Sequence, residues 1–179
     1  METINSKFFE AIRDGDIEEI KLFLKKGVDI EIKNDNGCTP LIIACSEGRF
    51  DAVKFLVEVA AADIENVDKN GWTPLLYSCH HGKLEIVKYL VEMGADVDKS
   101  NGRGSVTPLI SCFINNHTEI MKFLIEQGAN VDKDNIYSDS LISMLGCDEG
   151  EEEYREIIDL IKDIQLRKAM VKPHRKRDS

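Results

Sequence analysis

No stretch of this chain approaches the roughly 18 consecutive apolar residues a membrane helix needs, so a helical membrane span is excluded. The opening Met1 to Phe9 has no positive start leading into an apolar run, and no signal peptide is expected. Five cysteines (Cys38, Cys45, Cys79, Cys112 and Cys147) make an odd count without CxxC spacing. That argues against a disulfide framework or a zinc site and for reduced thiols in the cytosol or nucleus. Positive charge is short as well, with 23 Lys or Arg against 33 Asp or Glu and a net charge of −10. What there is gathers at one end: Arg167 to Ser179 carries +5, which leaves −15 on the body before it. A body that acidic repels phosphate, so direct nucleic-acid binding is not expected of it.

What the sequence does have is a repeated word. Asp68-Lys-Asn-Gly-Trp-Thr-Pro-Leu75 joins a tight-turn Asn-Gly pair to a helix start, with Thr73 as the capping hydroxyl and Pro74 at the first helical position. The word recurs at Asp35 to Leu41 and, altered, at Gly104 to Leu109, so that Thr39, Thr73 and Thr107 stand 34 residues apart. A fixed period of that size marks stacked structural repeats.

Five units follow, at about 4–33, 34–67, 68–101, 102–134 and 135–166, with a basic tail over 167–179 expected to be disordered. Each pairs two short helices. The first unit has Phe8, Ala11 and Ile12, then Ile17, Ile20, Phe23 and Leu24; the third has Leu75, Ser78 and Cys79, then Leu84, Val87, Leu90 and Val91. The second unit leaves through Val59-Ala-Ala-Ala-Asp63, one residue too long and without the usual Gly. In the fourth, Asn116 stands where a Gly closes the earlier first helices, and Gly102 to Ser105 enlarges the turn. The fifth is worn, with Leu141, Met144 and Leu145, then Ile157, Ile158 and Ile161, separated by an acidic link over Asp148 to Glu153. Helices of two turns are unstable alone, so the units must bury their apolar stripes on one another, with Ala11, Ala44, Ser78 and Cys112 small enough for close approach.

The words Gly-Trp-Thr-Pro-Leu (71–75), His-Gly-Lys-Leu-Glu-Ile-Val-Lys-Tyr-Leu-Val (81–91) and Gly-Ala-Asp-Val (94–97) resemble the ankyrin-repeat pattern over about Ile4 to Ile161. The resemblance implies an all-α solenoid of stacked helix–turn–helix units with short β-hairpin-like fingers, the first and last units acting as caps. One departure stands out. Ile42, Leu76, Ile110 and Ile142 occupy the place where the family usually has a His bonded to the finger, which puts finger hydrogen bonding at issue.

Catalysis has no good site. Cys79-His80-His81 sets a thiol beside two imidazoles, but successive helical side chains point about 100° apart, and the register turns Cys79 inward. No second ligand pair is spaced for a metal, so neither cofactor nor metal is expected. Gly102-Arg-Gly-Ser105 lacks a following Gly-Lys-Ser/Thr and is not a phosphate loop.

The resemblance implies a protein partner held on the finger tips and the concave side of the first helices. Mapped here, that surface takes in Arg13, Asp14, Asp35, Asn36, Cys38, Ser46 and Glu47 from units one and two. Lys69, Asn70, Trp72, Tyr77, His80 and His81 follow from unit three, then Arg103, Val106, Ile114 and Asn115 from unit four, with Asn135, Ile136 and Tyr137 as weaker members. Trp72, the one Trp, reads either as a binding anchor or as a ring packed on a neighbouring finger and Tyr77. The expected molecule is a monomer in the cytosol or nucleus, with no small-molecule substrate and no membrane. The basic tail reads either as a solvated end or as an import signal.

Overall fold

The computed structural model describes residues 3–102, 106–132, 145 and 152–171, with side chains of the last stretch over 154–167. Among the described residues the secondary structure is helical, in four successive pairs and one longer helix: α1 (Ile4–Asp14) and α2 (Ile17–Lys25), α3 (Pro40–Glu47) and α4 (Phe50–Glu58), α5 (Pro74–His80) and α6 (Leu84–Glu92), α7 (Pro108–Ile114) and α8 (Thr118–Glu126), then α9 (Glu152–Val171). The first helices stack on one another in the order α1, α3, α5, α7, and the second helices in the order α2, α4, α6, α8, with α9 closing on α8. This is an all-α repeat solenoid.

The repeated word does what its residues dictate. Thr39, Thr73 and Thr107 are buried and extended, and their hydroxyls accept the N–H of Ile42 (3.3 Å), Leu76 (3.1 Å) and Ile110 (3.2 Å). The prolines occupy the first helical turn, where no N–H is needed. Behind the caps the small residues Ala11, Ala44, Ser78 and Cys112 are all buried, so adjacent first helices meet closely. Ile20, Leu56, Leu90 and Leu124 carry the same core along the second helices without exposure.

The fingers fold as hydrogen-bonded turns, and no strand occurs among the described residues. Asn34 N–H donates to the Cys38 carbonyl and Asp68 N–H to that of Trp72, both at 3.1 Å. Neighbouring fingers are joined by backbone: Lys69 N–H donates to Asn36 O (3.2 Å), and Gly102 N–H to Asn70 O (2.9 Å). At that join Gly71 has φ 79°, and a Cβ on it would sit 2.1 Å from Gly102 N, so only Gly allows the approach.

Two irregular positions behave as their sequence implies. Asn116 takes the left-handed turn at φ 58°, which Asn tolerates better than most residues. Ala61 takes it at φ 57° in the lengthened exit of unit two. There Ala62 N–H reaches back to Leu56 O, six residues away, whereas Ala95 and Ala129 reach Leu90 and Leu124, five away. An L side chain in that region costs about 1 kcal/mol that Gly does not. Ala61→Gly should therefore raise stability by about 0.5–1 kcal/mol in urea unfolding, while Ala62→Gly should not.

The last helix differs from the expectation. It runs to Val171, so the stretch read as a tail from Arg167 begins inside a helix, where Arg167 pairs with Asp163 at 2.5 Å. In unit five Leu145 is buried, as are Ile157 and Ile161. Leu141, Met144, Cys147 and residues 148–151 of the acidic link lie outside the described residues, as do 172–179.

Candidate functional site

The centre of the finger and first-helix face is a cluster of rings on α5. Trp72 enters from the finger, and its ring lies 5.4 Å from Tyr77 and 5.3 Å from His80, edge-on to the latter. Tyr77 stacks on His81 at 6.3 Å, and His80 meets His81 edge-on at 4.9 Å. Their spacing explains this contact: residues 77, 80 and 81 fall on one side of a helix of 3.6 residues per turn. Trp72 therefore packs on its own unit's helix and remains half-exposed.

The support beneath this cluster is Asp68. Its buried carboxylate accepts the N–H groups of Asn70 and Trp72, each at 2.8 Å on Oδ1, and the Tyr77 hydroxyl at 3.0 Å on Oδ2. The same role falls to Asn34, whose Oδ1 accepts Asn36 N–H (3.0 Å) and Cys38 N–H (2.9 Å), and to Asn101, which accepts Val106 N–H at 3.3 Å. Finger bonding lost with the family His is thus supplied from the start of the finger, while Ile42, Leu76 and Ile110 are buried in the core. Residues 34 and 68 stand one repeat period apart and Asn101 one residue short of the next, and that spacing was the signal available for them.

Cys38 is corrected by the structure. It is 5% exposed and belongs to the interior, with its sulfur 3.6 Å from the Tyr77 oxygen. Since Tyr77 donates its proton to Asp68, the thiol is the donor in that contact. Burial pushes the Cys38 thiol up, and burial likewise raises Tyr77, so both groups stay protonated. Cys45, wholly buried, is pushed up to about 12, and burial with the Cys112 contact raises Cys79 well above the usual thiol range. The string Cys79-His80-His81 therefore offers no thiolate nucleophile.

A second row, at the repeat period, has no counterpart among the expected site residues. Arg49, Lys83 and His117 stand 34 residues apart and precede α4, α6 and α8. Each lays its side chain over the end of the preceding unit's first helix. Arg49 Nε–H donates to the Arg13 carbonyl, Lys83 lies across Gly48, and His117 Nε2–H donates to the His80 carbonyl at 3.2 Å. Cationic side chains are favourable at helix C-termini. Gly82 makes room for the third, since a Cβ there would sit 2.7 Å from the His117 ring.

The remaining expected residues divide by location. Trp72, Tyr77, His80, His81 and Asn115 come together, the last because its amide lies 3.0 Å from His80 Nδ1. Ile114 is 58% exposed beside them and Val106 half-buried. Lys69 joins the second finger by donating Nζ–H to Asp35 O at 2.6 Å, and Asp35, Asn36 and Asn70 are exposed at the finger tips. Glu47 is exposed at the end of α3, while Ser46 spends its hydroxyl on Ile43 O at 3.0 Å. Arg13 and Asp14 are exposed at the end of α1, two units from the ring cluster. Arg103, Asn135, Ile136 and Tyr137 lie outside the described residues.

Comparison with known proteins falls on the same architecture. A family model described as ankyrin repeats (3 copies) matches residues 8–101 and 61–135, well over half of the chain. Curated relatives include protein phosphatase 1 regulatory subunit 27 of Mus musculus and of Homo sapiens, each 42% identical over 52 residues. Each match takes in 29% of this chain and 34% of the relative, so the chain spans about a third of the length of these relatives.

Proposed function

This chain belongs to the ankyrin-repeat family, and from that premise we propose that it is a non-catalytic interaction module holding a partner protein on its finger and first-helix face. The observation that carries the reading is the ring cluster of Trp72, Tyr77, His80 and His81, partly open to solvent yet fixed from beneath by Asp68. Half-exposed aromatics held in one geometry give a partner contact area with little side-chain entropy left to lose. Ile114 and Val106 extend the apolar part of the face, and Asp35, Asn36, Lys69 and Asn70 border it with polar groups.

A more specific form of the reading is a regulatory inhibitor subunit of an enzyme such as a kinase, which would lower that enzyme's activity; the relatives' name speaks of a regulatory subunit, there of a phosphatase. On this form the purified chain changes the activity of the enzyme it captures. A nuclear role, holding a transcription or chromatin factor, rests on the basic residues 167–179, whose deletion would then abolish nuclear entry.

Affinity capture tests the proposal. Wild type and the double variant Trp72→Ala, His80→Ala are used as baits from the same extract, and captured proteins are quantified by mass spectrometry. Specific partners should fall at least about tenfold, the effect of losing a single anchor worth about 2 kcal/mol being larger still. Equal capture by the two folded baits would contradict the reading.

A further inference from the structure

Three of the chain's four histidines meet where units three and four join, and the bonds around them admit only certain protonation states. Asn115 Nδ2 donates to the Ser111 carbonyl at 2.8 Å and also lies 3.0 Å from His80 Nδ1. A carbonyl only accepts, so Ser111 fixes which way the Asn115 amide points. The atom facing His80 is then an N–H donor, and His80 Nδ1 must be the bare acceptor. His117 is fixed in the same way, its Nε2 carrying the proton given to the His80 carbonyl.

We infer that this junction is a proton-operated joint: a proton taken up at His80 Nδ1 breaks the bond to Asn115 that ties unit three to unit four. Turning the Asn115 amide over does not rescue it, because its oxygen would then face the Ser111 carbonyl. One bond is lost either way.

The surroundings add to the effect. His80 faces Trp72 from the finger, His81 from its own helix, Asn115 from α7 and His117 from the α7–α8 link. His81 in turn faces Tyr77, Lys83 from the α5–α6 link and Glu47 from α3. Burial first, then His80 and Lys83, pushes His81 below the ordinary imidazole range, with Glu47 opposing. Its folded value being the lower one, the neutral ring supports the fold above about pH 6.5, and that support is lost as the pH falls. Asp68, the nearest buried carboxylate, is committed to the finger and Tyr77. The joint thus couples acidification to the face proposed above for binding. Its existence does not rest on that proposal, and the test needs no partner.

The full chain, labelled with ¹⁵N, is titrated from about pH 8 to about pH 5.5, where imidazoles change charge. Trp72, the one Trp, reports charge on His80 through its emission, and the Asn115 side-chain amide resonance reports the bond. Both should move in a single step while the helical circular dichroism holds, and both steps should be lost in His80→Gln. An Asn115 amide that stays put while the Trp72 emission titrates would overturn the inference. So would the absence of any step, or steps that survive in a folded His80→Gln. Should that variant not fold, the two wild-type signals decide by themselves.

Discussion

Leu90→Ala lowers the free energy of unfolding by about 3 kcal/mol. Leu90 is fully buried on α6, with Leu56 before it and Leu124 after it at the same place in the neighbouring units, both equally buried. Removing its side chain forfeits about 2 kcal/mol of apolar transfer. The remainder comes from the cavity, because helices α4 and α8 on either side are already held by their own units and cannot close the gap. In a one-dimensional stack the damage falls on two interfaces, so a central unit suffers more than an end unit. The cap residue gives the contrast, since Thr73→Ala loses one hydrogen bond and about 1 kcal/mol. Equilibrium urea unfolding measures both, and a Leu90→Ala loss no larger than that of Thr73→Ala would contradict the account.

Asp68→Ala comes second, at about 2–3 kcal/mol, because several donors lose their acceptor together. The Asn70 and Trp72 N–H groups and the Tyr77 hydroxyl all end on this carboxylate, which is 6% exposed. Asp68→Asn should cost much less, about 1 kcal/mol, since its oxygen can still take both backbone N–H groups. Asn34 already does so one unit earlier. The alanine variant should also free the Trp72 ring, seen as a red shift of its emission in the folded protein. Equal stability for Asp68→Ala and Asp68→Asn would show that the finger is held by its backbone turn alone.

Most of the fold is legible in the sequence because each local choice agrees with the period. Threonine, proline and a buried Leu recur in one order, and even the exit Val59 to Asp63 and Asn116 betray themselves as places where Gly would be expected, the structure then assigning the left-handed turn of the first to Ala61. The site is less legible, since its bonds cross between elements that the linear pattern treats separately. The family His was missed at the position of Leu76, but its work had moved to Asp68 and Tyr77, nine residues apart in chain and 3.0 Å apart in space.

Cys38 and Trp72 show how a repeat can mislead. They hold equivalent places 34 residues apart, so sequence puts both on the surface. Cys38 is small and receives the Tyr77 hydroxyl of the next unit over it, which buries it. The residue 34 beyond Tyr77 is Ser111, which has no ring to lay over Trp72, and the larger indole stays partly open. Exposure at one position of a repeat therefore depends on what the following repeat supplies.

The central claim is that the partner sits on the finger and first-helix face around Trp72 and His80. Its most direct test adds one bait to the capture comparison: Lys88→Ala, an exposed change on the second helix α6, on the opposite side of the stack. Proteins held by wild type and by Lys88→Ala but lost from the folded Trp72→Ala, His80→Ala variant are the predicted result. Partners that remain on the double variant and leave with Lys88→Ala would place the binding surface on the second helices and contradict the account.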